Sequence, residues 1–159
     1  PYTYSAQMKK LIKNLKYSRK TFLAKDLSAK LAEFIIKENI DKNTDVVVPV
    51  PMHWFKKWKR GYNQAELIAQ NVAKVINKPV CNALIRTKYT KPQFNLKKQE
   101  RYENLANMFD LNKKYIDIIK GKRILLIDDI ATTCSTANQC AKVLKTLKIK
   151  TIVVTLART

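Results

Sequence analysis

Arg123-Ile-Leu-Leu-Ile-Asp-Asp-Ile-Ala-Thr-Thr-Cys-Ser-Thr136 carries three signals in succession. Four apolar residues, Ile124 to Ile127, predict a strand buried on both faces, because a strand with one wet face alternates instead. Two acids, Asp128 and Asp129, end that run. Small and hydroxyl-bearing residues follow from Ala131 to Thr136, and a helix is expected to begin at Ser135 or Thr136, with apolar positions Ala137, Cys140, Ala141, Val143, Leu144 and Leu147. Thr151 to Leu156 reads as a final β-branched strand. Strand, helix and strand with near-continuous apolar runs predict an α/β fold: a doubly wound, mostly parallel sheet with helices on both faces.

Upstream, Asp45-Val-Val-Val-Pro-Val50 has the composition of a buried strand ending in a turn, and Val80 to Ile85 gives a weaker strand signal. Leu11, Leu15, Leu23, Leu27, Leu31, Phe34 and Ile35 recur at helical spacing, so residues 1–40 are expected to be helical with a break near Tyr17 to Lys20. Ala65, Ile68, Val72 and Val75 mark a second helix. Before it lies a basic aromatic stretch, Met52-His-Trp-Phe-Lys-Lys-Trp-Lys-Arg-Gly61. Arg86 to Asn107 is polar, basic and without period, the pattern of a functional loop or lid. At 159 residues the chain suits one domain spanning 1–159.

Thirty-two Lys and Arg against 12 Asp and Glu give a formal charge of +20, a field that attracts polyanions. Nucleic acid and phosphorylated metabolites both fit, and so does a solvated lysine-rich surface, since no RNA-binding or helix-turn-helix signature accompanies the charge. Cys81, Cys134 and Cys140 lack C-x-x-C spacing and are expected to be reduced thiols, and the single His53 excludes a three-histidine zinc site. No apolar run approaches the roughly 18 residues of a spanning helix and no signal segment opens the chain, so a soluble, cytoplasmic protein without membrane insertion is expected. The chain opens on Pro1 rather than Met, which leaves room for upstream sequence.

Ligands of an open parallel sheet bind beyond the carboxyl ends of its strands. A small hydroxyl-rich turn leading into a helix N-terminus suits a phosphate, through backbone N–H groups, the helix dipole and the hydroxyls of Thr132, Thr133, Ser135 and Thr136. Asp128 and Asp129 would repel that anion; they suit ribose hydroxyls and, directly or through water, a Mg²⁺ ion.

The stretch from Ile124 to Thr136 resembles the signature of the type I phosphoribosyltransferases. Val48-Pro-Val-Pro51, Arg60-Gly-Tyr-Asn-Gln-Ala65 and the spaced set Arg86, Thr90, Gln93, Leu96, Arg101 and Asn104 narrow the resemblance to the competence protein ComF family, over Asp45 to Thr159. That resemblance implies a phosphoribosyltransferase-like fold, a ligand such as phosphoribosyl pyrophosphate or another phosphorylated ribose, Mg²⁺, and a place in natural DNA uptake with single-stranded DNA and a DNA-uptake helicase as partners. It implies that Asp128 and Asp129 hold the ribose hydroxyls, that Ala131, Thr132, Thr133, Cys134, Ser135 and Thr136 wrap the 5-phosphate, and that Arg60 and Gly61 face the pyrophosphate. Arg86 to Phe109 would form a mobile flap, with Arg86, Gln93, Arg101 and Asn104 among its residues.

Two departures stand out. Cys134 occupies a position where the family usually has glycine, which allows positive φ and close approach; it is either a drifted glycine position or a thiol whose pKa falls near a helix N-terminus. The cysteine-rich metal finger that opens many relatives is absent from these 159 residues. Thr132 stands where purine-salvage relatives carry an aspartate base, which disfavours a purine acceptor and names no other base. Two further functions remain open: a non-catalytic basic module for single-stranded DNA or a protein partner, and nucleotide-salvage transfer.

Overall fold

The computed structural model describes residues 2–3, 11, 22–87 and 108–158. Its strands are β1 (Tyr2–Thr3), β2 (Val46–Pro49), β3 (Leu84–Arg86), β4 (Phe109–Leu111), β5 (Ile124–Ala131) and β6 (Thr151–Arg158). Its helices are α1 (Phe22–Lys37), α2 (Trp54–Arg60), α3 (Gln64–Val75), α4 (Ile116–Ile119) and α5 (Ser135–Lys145). Strands β1, β6, β5 and β2 form one parallel sheet in that order, with Val46 beside Ile124 and Ile124 beside Thr151. The short β3 and β4 pair antiparallel in a separate ribbon.

The central position of β5 explains its composition. Leu125 and Ile127 pack on one side of the sheet with Leu27, Leu31 and Ile35 of α1 and Ile68 and Val72 of α3. Ile124 and Leu126 pack on the other with Cys140 and Leu144 of α5 and with Met108 and Phe109 of the ribbon. All four β5 residues are buried, each contributing about 1.5–3 kcal/mol. At the opposite end of the sheet from the predicted site, Asp45 Oδ2 accepts from Arg123 N–H (2.8 Å) and Nε (3.0 Å), and Asp45 Oδ1 accepts from Arg123 Nη2 (2.8 Å). This clamp fixes where β2 and β5 begin and holds the Asp45 carboxyl well below the usual carboxylate range.

Several expectations are corrected. Residues 1–40 are not helical throughout, because Tyr2–Thr3 forms an edge strand beside Ala157 and Arg158, a pairing partner far away in sequence. The expected break at residues 17–20 lies outside the described residues. The basic aromatic stretch after Val50 holds α2, capped where His53 Nδ1 accepts from Phe55 N–H at 3.2 Å. It ends at Gly61, whose φ of 89° is the left-handed value that favours glycine. The weak strand signal at Val80 to Ile85 resolves into an isolated bridge at Val80 and a strand that starts at Leu84. Val75, counted on the apolar face of its helix, is exposed. No helix among the described residues is long and apolar enough to cross a membrane.

Candidate functional site

The carboxyl ends of β2 and β5 lie side by side, and the Val50 N–H donates to Ile127 O at 2.8 Å just beyond the regular pairing. Asp128 and Asp129 belong to β5 itself and are half-buried. Asp128 Oδ1 accepts from the Asp129 N–H and Asp129 Oδ1 from the Ile130 N–H, each at 2.8 Å. A regular strand alternates faces, yet Ile127 and Ile130, three residues apart, pack against the same cluster. The register with β6 is the same on both sides of the acids, Asp128 beside Thr155 and Ile130 beside Ala157, while the Asp129 and Ile130 N–H groups turn to side-chain carboxylates.

Strand β5 runs on to Ala131, so the turn proper is Thr132, Thr133 and Cys134, the first two exposed. Cys134 adopts φ 55°, ψ 7° at the N-cap of α5, and its carbonyl accepts from Asn138 N–H at 2.8 Å. Left-handed backbone costs a residue with a β-carbon about 1–2 kcal/mol, so the glycine-like geometry expected here is present although the glycine is not. Thr133 Oγ1 and Ser135 Oγ lie 2.7 Å apart, gathering two hydroxyls at the first turn of a helix 11 residues long. Such a helix start favours an anion through its unpaired N–H groups and dipole.

The second turn, after β2, is tied to the first. Asn63 Nδ2 donates to Val50 O (3.0 Å), and its Oδ1 accepts from Ala65 N–H (3.2 Å), capping α3. Two hydrogen bonds thus link the Arg60–Gln64 segment through Val50 to Ile127, the residue before Asp128. Arg60 Nη1 donates to Gln64 Oε1, and Gln64 is buried. Lys57 pairs with Glu66 (2.7 Å), which also accepts from Asn82 (3.2 Å). A cleft of about 240 Å³ opens here, with Pro51, Met52, Trp54, Asn82, Arg86 and Asn112 among its walls. Trp54 and Trp58 are 70% and 76% exposed, and Phe55 stacks on Trp58 with centroids 6.2 Å apart.

Arg86 ends β3, half-buried, its guanidinium 5.6 Å from the centre of the Phe109 ring. Burial lowers its pKa, while Cys140 and the Asp128 carboxylate lie near enough to oppose that shift. Burial, followed by the Asp128 charge, pushes the Cys140 thiol well above its ordinary range. The Thr87 N–H donates to Met108 O at 2.9 Å, closing the base of the segment between them. Gln93, Arg101 and Asn104, with Thr90 and Leu96, lie outside the described residues. Asn63 and Gln64 gain a role only from the structure, because their signal, polar side chains at buried positions, exists only in three dimensions. Among the described residues, no group of three or more His, Cys, Asp or Glu side chains is arranged to hold a metal ion.

No protein-family model matches the chain. Among solved structures it is similar to an adenine phosphoribosyltransferase, with a TM-score of 0.60 and 14% identity, covering 89% of this chain and 72% of that one. It also resembles the Bacillus subtilis glutamine phosphoribosylpyrophosphate amidotransferase, with a TM-score of 0.56 and 21% identity over 84% of this chain and 26% of that one. The fold is that of the phosphoribosyltransferases. In sequence the chain is 36% identical to competence protein F of Haemophilus influenzae over 70% of its length and 48% of that protein. It is 30% identical to the DNA utilization protein YhgH of Escherichia coli K12, over 89% of this chain and 62% of that protein. It is also 30% identical to competence protein ComFC of Bacillus subtilis, over 90% of this chain and 55% of that protein. The chain is thus a homologue of the ComF proteins on a type I phosphoribosyltransferase-like fold, and it spans about half to three fifths of the length of these curated relatives.

Proposed function

We propose that the chain binds phosphoribosyl pyrophosphate, or a related ribose 5-phosphate group, with Mg²⁺ at the carboxyl end of β5, in the service of DNA uptake. One observation carries this: a single buried strand leads from two half-buried acids into a left-handed, hydroxyl-lined turn at the start of α5. Asp128 and Asp129 hold the ribose hydroxyls, Ala131 to Thr136 wrap the 5-phosphate, and Arg60 and Gly61 face the pyrophosphate, whose paired oxygens match a planar guanidinium. The donor set fits magnesium, which takes oxygen ligands and is commonly held by one or two carboxylates together with substrate phosphates. When bound, the ion offsets the charge of the pyrophosphate oxygens. The names of the relatives, competence protein and DNA utilization protein, support the link to DNA uptake.

Calorimetry with phosphoribosyl pyrophosphate and Mg²⁺, comparing the wild type with Asp128→Asn plus Asp129→Asn, tests the assignment. Equal binding by both proteins removes it. Pyrophosphate release in the presence of a nucleobase panel tests whether transfer follows binding.

A second function is favoured by the exposure of Trp54 and Trp58 on a helix that also carries Lys56, Lys57, Lys59 and Arg60. Aromatics interleaved with cations suit single-stranded DNA, by stacking and by phosphate neutralisation. Affinity for an oligonucleotide that does not fall with added salt would count against it.

A further inference from the structure

We infer that Gln64 is a positioning residue: it holds the Arg60 guanidinium in the orientation that recognises pyrophosphate, and so sets a preference for phosphoribosyl pyrophosphate over ribose 5-phosphate. This rests on the binding function proposed above.

Gln64 is the first residue of α3 and only 1% exposed, an unusual burial for an amide in the first turn of a helix. Its Oε1 accepts from Arg60 Nη1, while its Nε2 is buried with no hydrogen-bond partner among the described residues. A buried donor left unsatisfied is destabilising, and an apolar side chain of the same shape would remove that penalty. Packing alone therefore does not account for an amide here. What the amide supplies is the oxygen that meets Arg60.

The backbone is arranged to make this meeting possible. Arg60 is the last residue of α2 and Gln64 the first of α3, and the reversal between them passes through Gly61 at φ 89°. A β-carbon at Gly61 would touch nothing within 4 Å, so the positive φ, rather than space, is what calls for glycine. Asn63 ties the same turn to Val50 O, beside the strand end that carries Asp128. An arginine has many rotamers, and anchoring one donor removes much of that freedom before a ligand arrives. The anchored fork then matches a pair of phosphate oxygens. Ribose 5-phosphate lacks the pyrophosphate, so its binding does not draw on Arg60.

The test measures both ligands, with Mg²⁺, by calorimetry on the wild type, Gln64→Met, Arg60→Met and the double variant, together with thermal melts. Gln64→Met is expected to weaken phosphoribosyl pyrophosphate about tenfold, the scale of one hydrogen bond to a charged group. Ribose 5-phosphate affinity should stay at the wild-type value, and Tm should equal or exceed that of the wild type because the orphaned donor is gone. Adding Gln64→Met to Arg60→Met should change nothing further, since one residue acts through the other. A parallel loss of both ligands, additive losses in the double variant, or no change in selectivity would overturn the inference while leaving the binding site standing. A wild type that binds neither ligand would instead bring down the site and the inference together.

Discussion

Two turns leave neighbouring strands at the same end of the sheet, and they are built from opposite materials. The turn after β5 is short: beyond the two acids of the strand, two threonines and one strained cysteine precede α5. The turn after β2 is longer and carries Pro51, a buried histidine, three aromatics and a run of cations folded into α2. An anion at the first would be met by helix dipole and hydroxyls, whereas at the second it would be met by arginine and lysine. Together they suit a ligand with a polar sugar in the middle and a phosphate at either side. Their difference teaches that the +20 charge is not uniform in meaning: the turn after β5 contains no Lys or Arg, whereas the turn beside it carries Lys56, Lys57, Lys59 and Arg60.

The strongest way to separate the turns is to remove the acids. Asp128→Asn plus Asp129→Asn is expected to weaken phosphoribosyl pyrophosphate with Mg²⁺ on the order of a hundredfold, from two charged interactions. It should leave oligonucleotide affinity intact or slightly raised, and filter binding beside calorimetry checks both arms. The converse change, Trp54→Ala plus Trp58→Ala, should lower affinity for single-stranded DNA by about 1–3 kcal/mol for each stacked base lost. Fluorescence anisotropy reads that loss, while phosphoribosyl pyrophosphate binding should not move. If each pair of substitutions disabled both ligands equally, single-stranded DNA and phosphoribosyl pyrophosphate would share one site.

A smaller effect is expected at Cys134. Cys134→Gly relieves the left-handed backbone but adds freedom to the unfolded chain, for a net stabilisation of about 0.5–1 kcal/mol in urea melts. A destabilised Cys134→Gly protein would mean that the thiol is packed and needed.

The smallest effect concerns acidity and only the β2 turn. Burial, followed by the charges of Arg86 and Lys56, lowers the His53 pKa below 6.5. The unfolded chain therefore takes up the proton first, and stability present above 6.5 declines as pH falls toward the lower folded value. Protonation also ends the acceptor role of Nδ1 at the cap of α2. Melts between about pH 8 and pH 5 should show the decline in the wild type and a flatter profile for His53→Asn, which caps without titrating in that range.

Legibility followed locality. Ile124 to Ile127 announced a strand buried on both sides because each residue's partners, whichever they are, must be apolar. The start of α5 was read to within a residue because hydroxyls followed by a 3.6-residue apolar period leave little choice. The strand at Tyr2–Thr3 escaped notice because its partner lies at Ala157 and Arg158, and two residues carry no period. Helix α2 gives no helical signal in the sequence because its rings face solvent and leave no apolar stripe.

Sequence by itself determined the α/β class, the order of the β5–α5–β6 unit and the residue types at the candidate site, since these follow from local periodicity and from which chemistry a strand end can present. Only the tertiary structure decided that Asn63 binds the β2 turn to the β5 end, that Arg86 sits half-buried near Asp128, and that Gln64 is buried against Arg60. Those are contacts between residues whose neighbours in space are not their neighbours in sequence. Burial and hydrogen-bond satisfaction are properties of the packed chain, and no run of residue types encodes them alone.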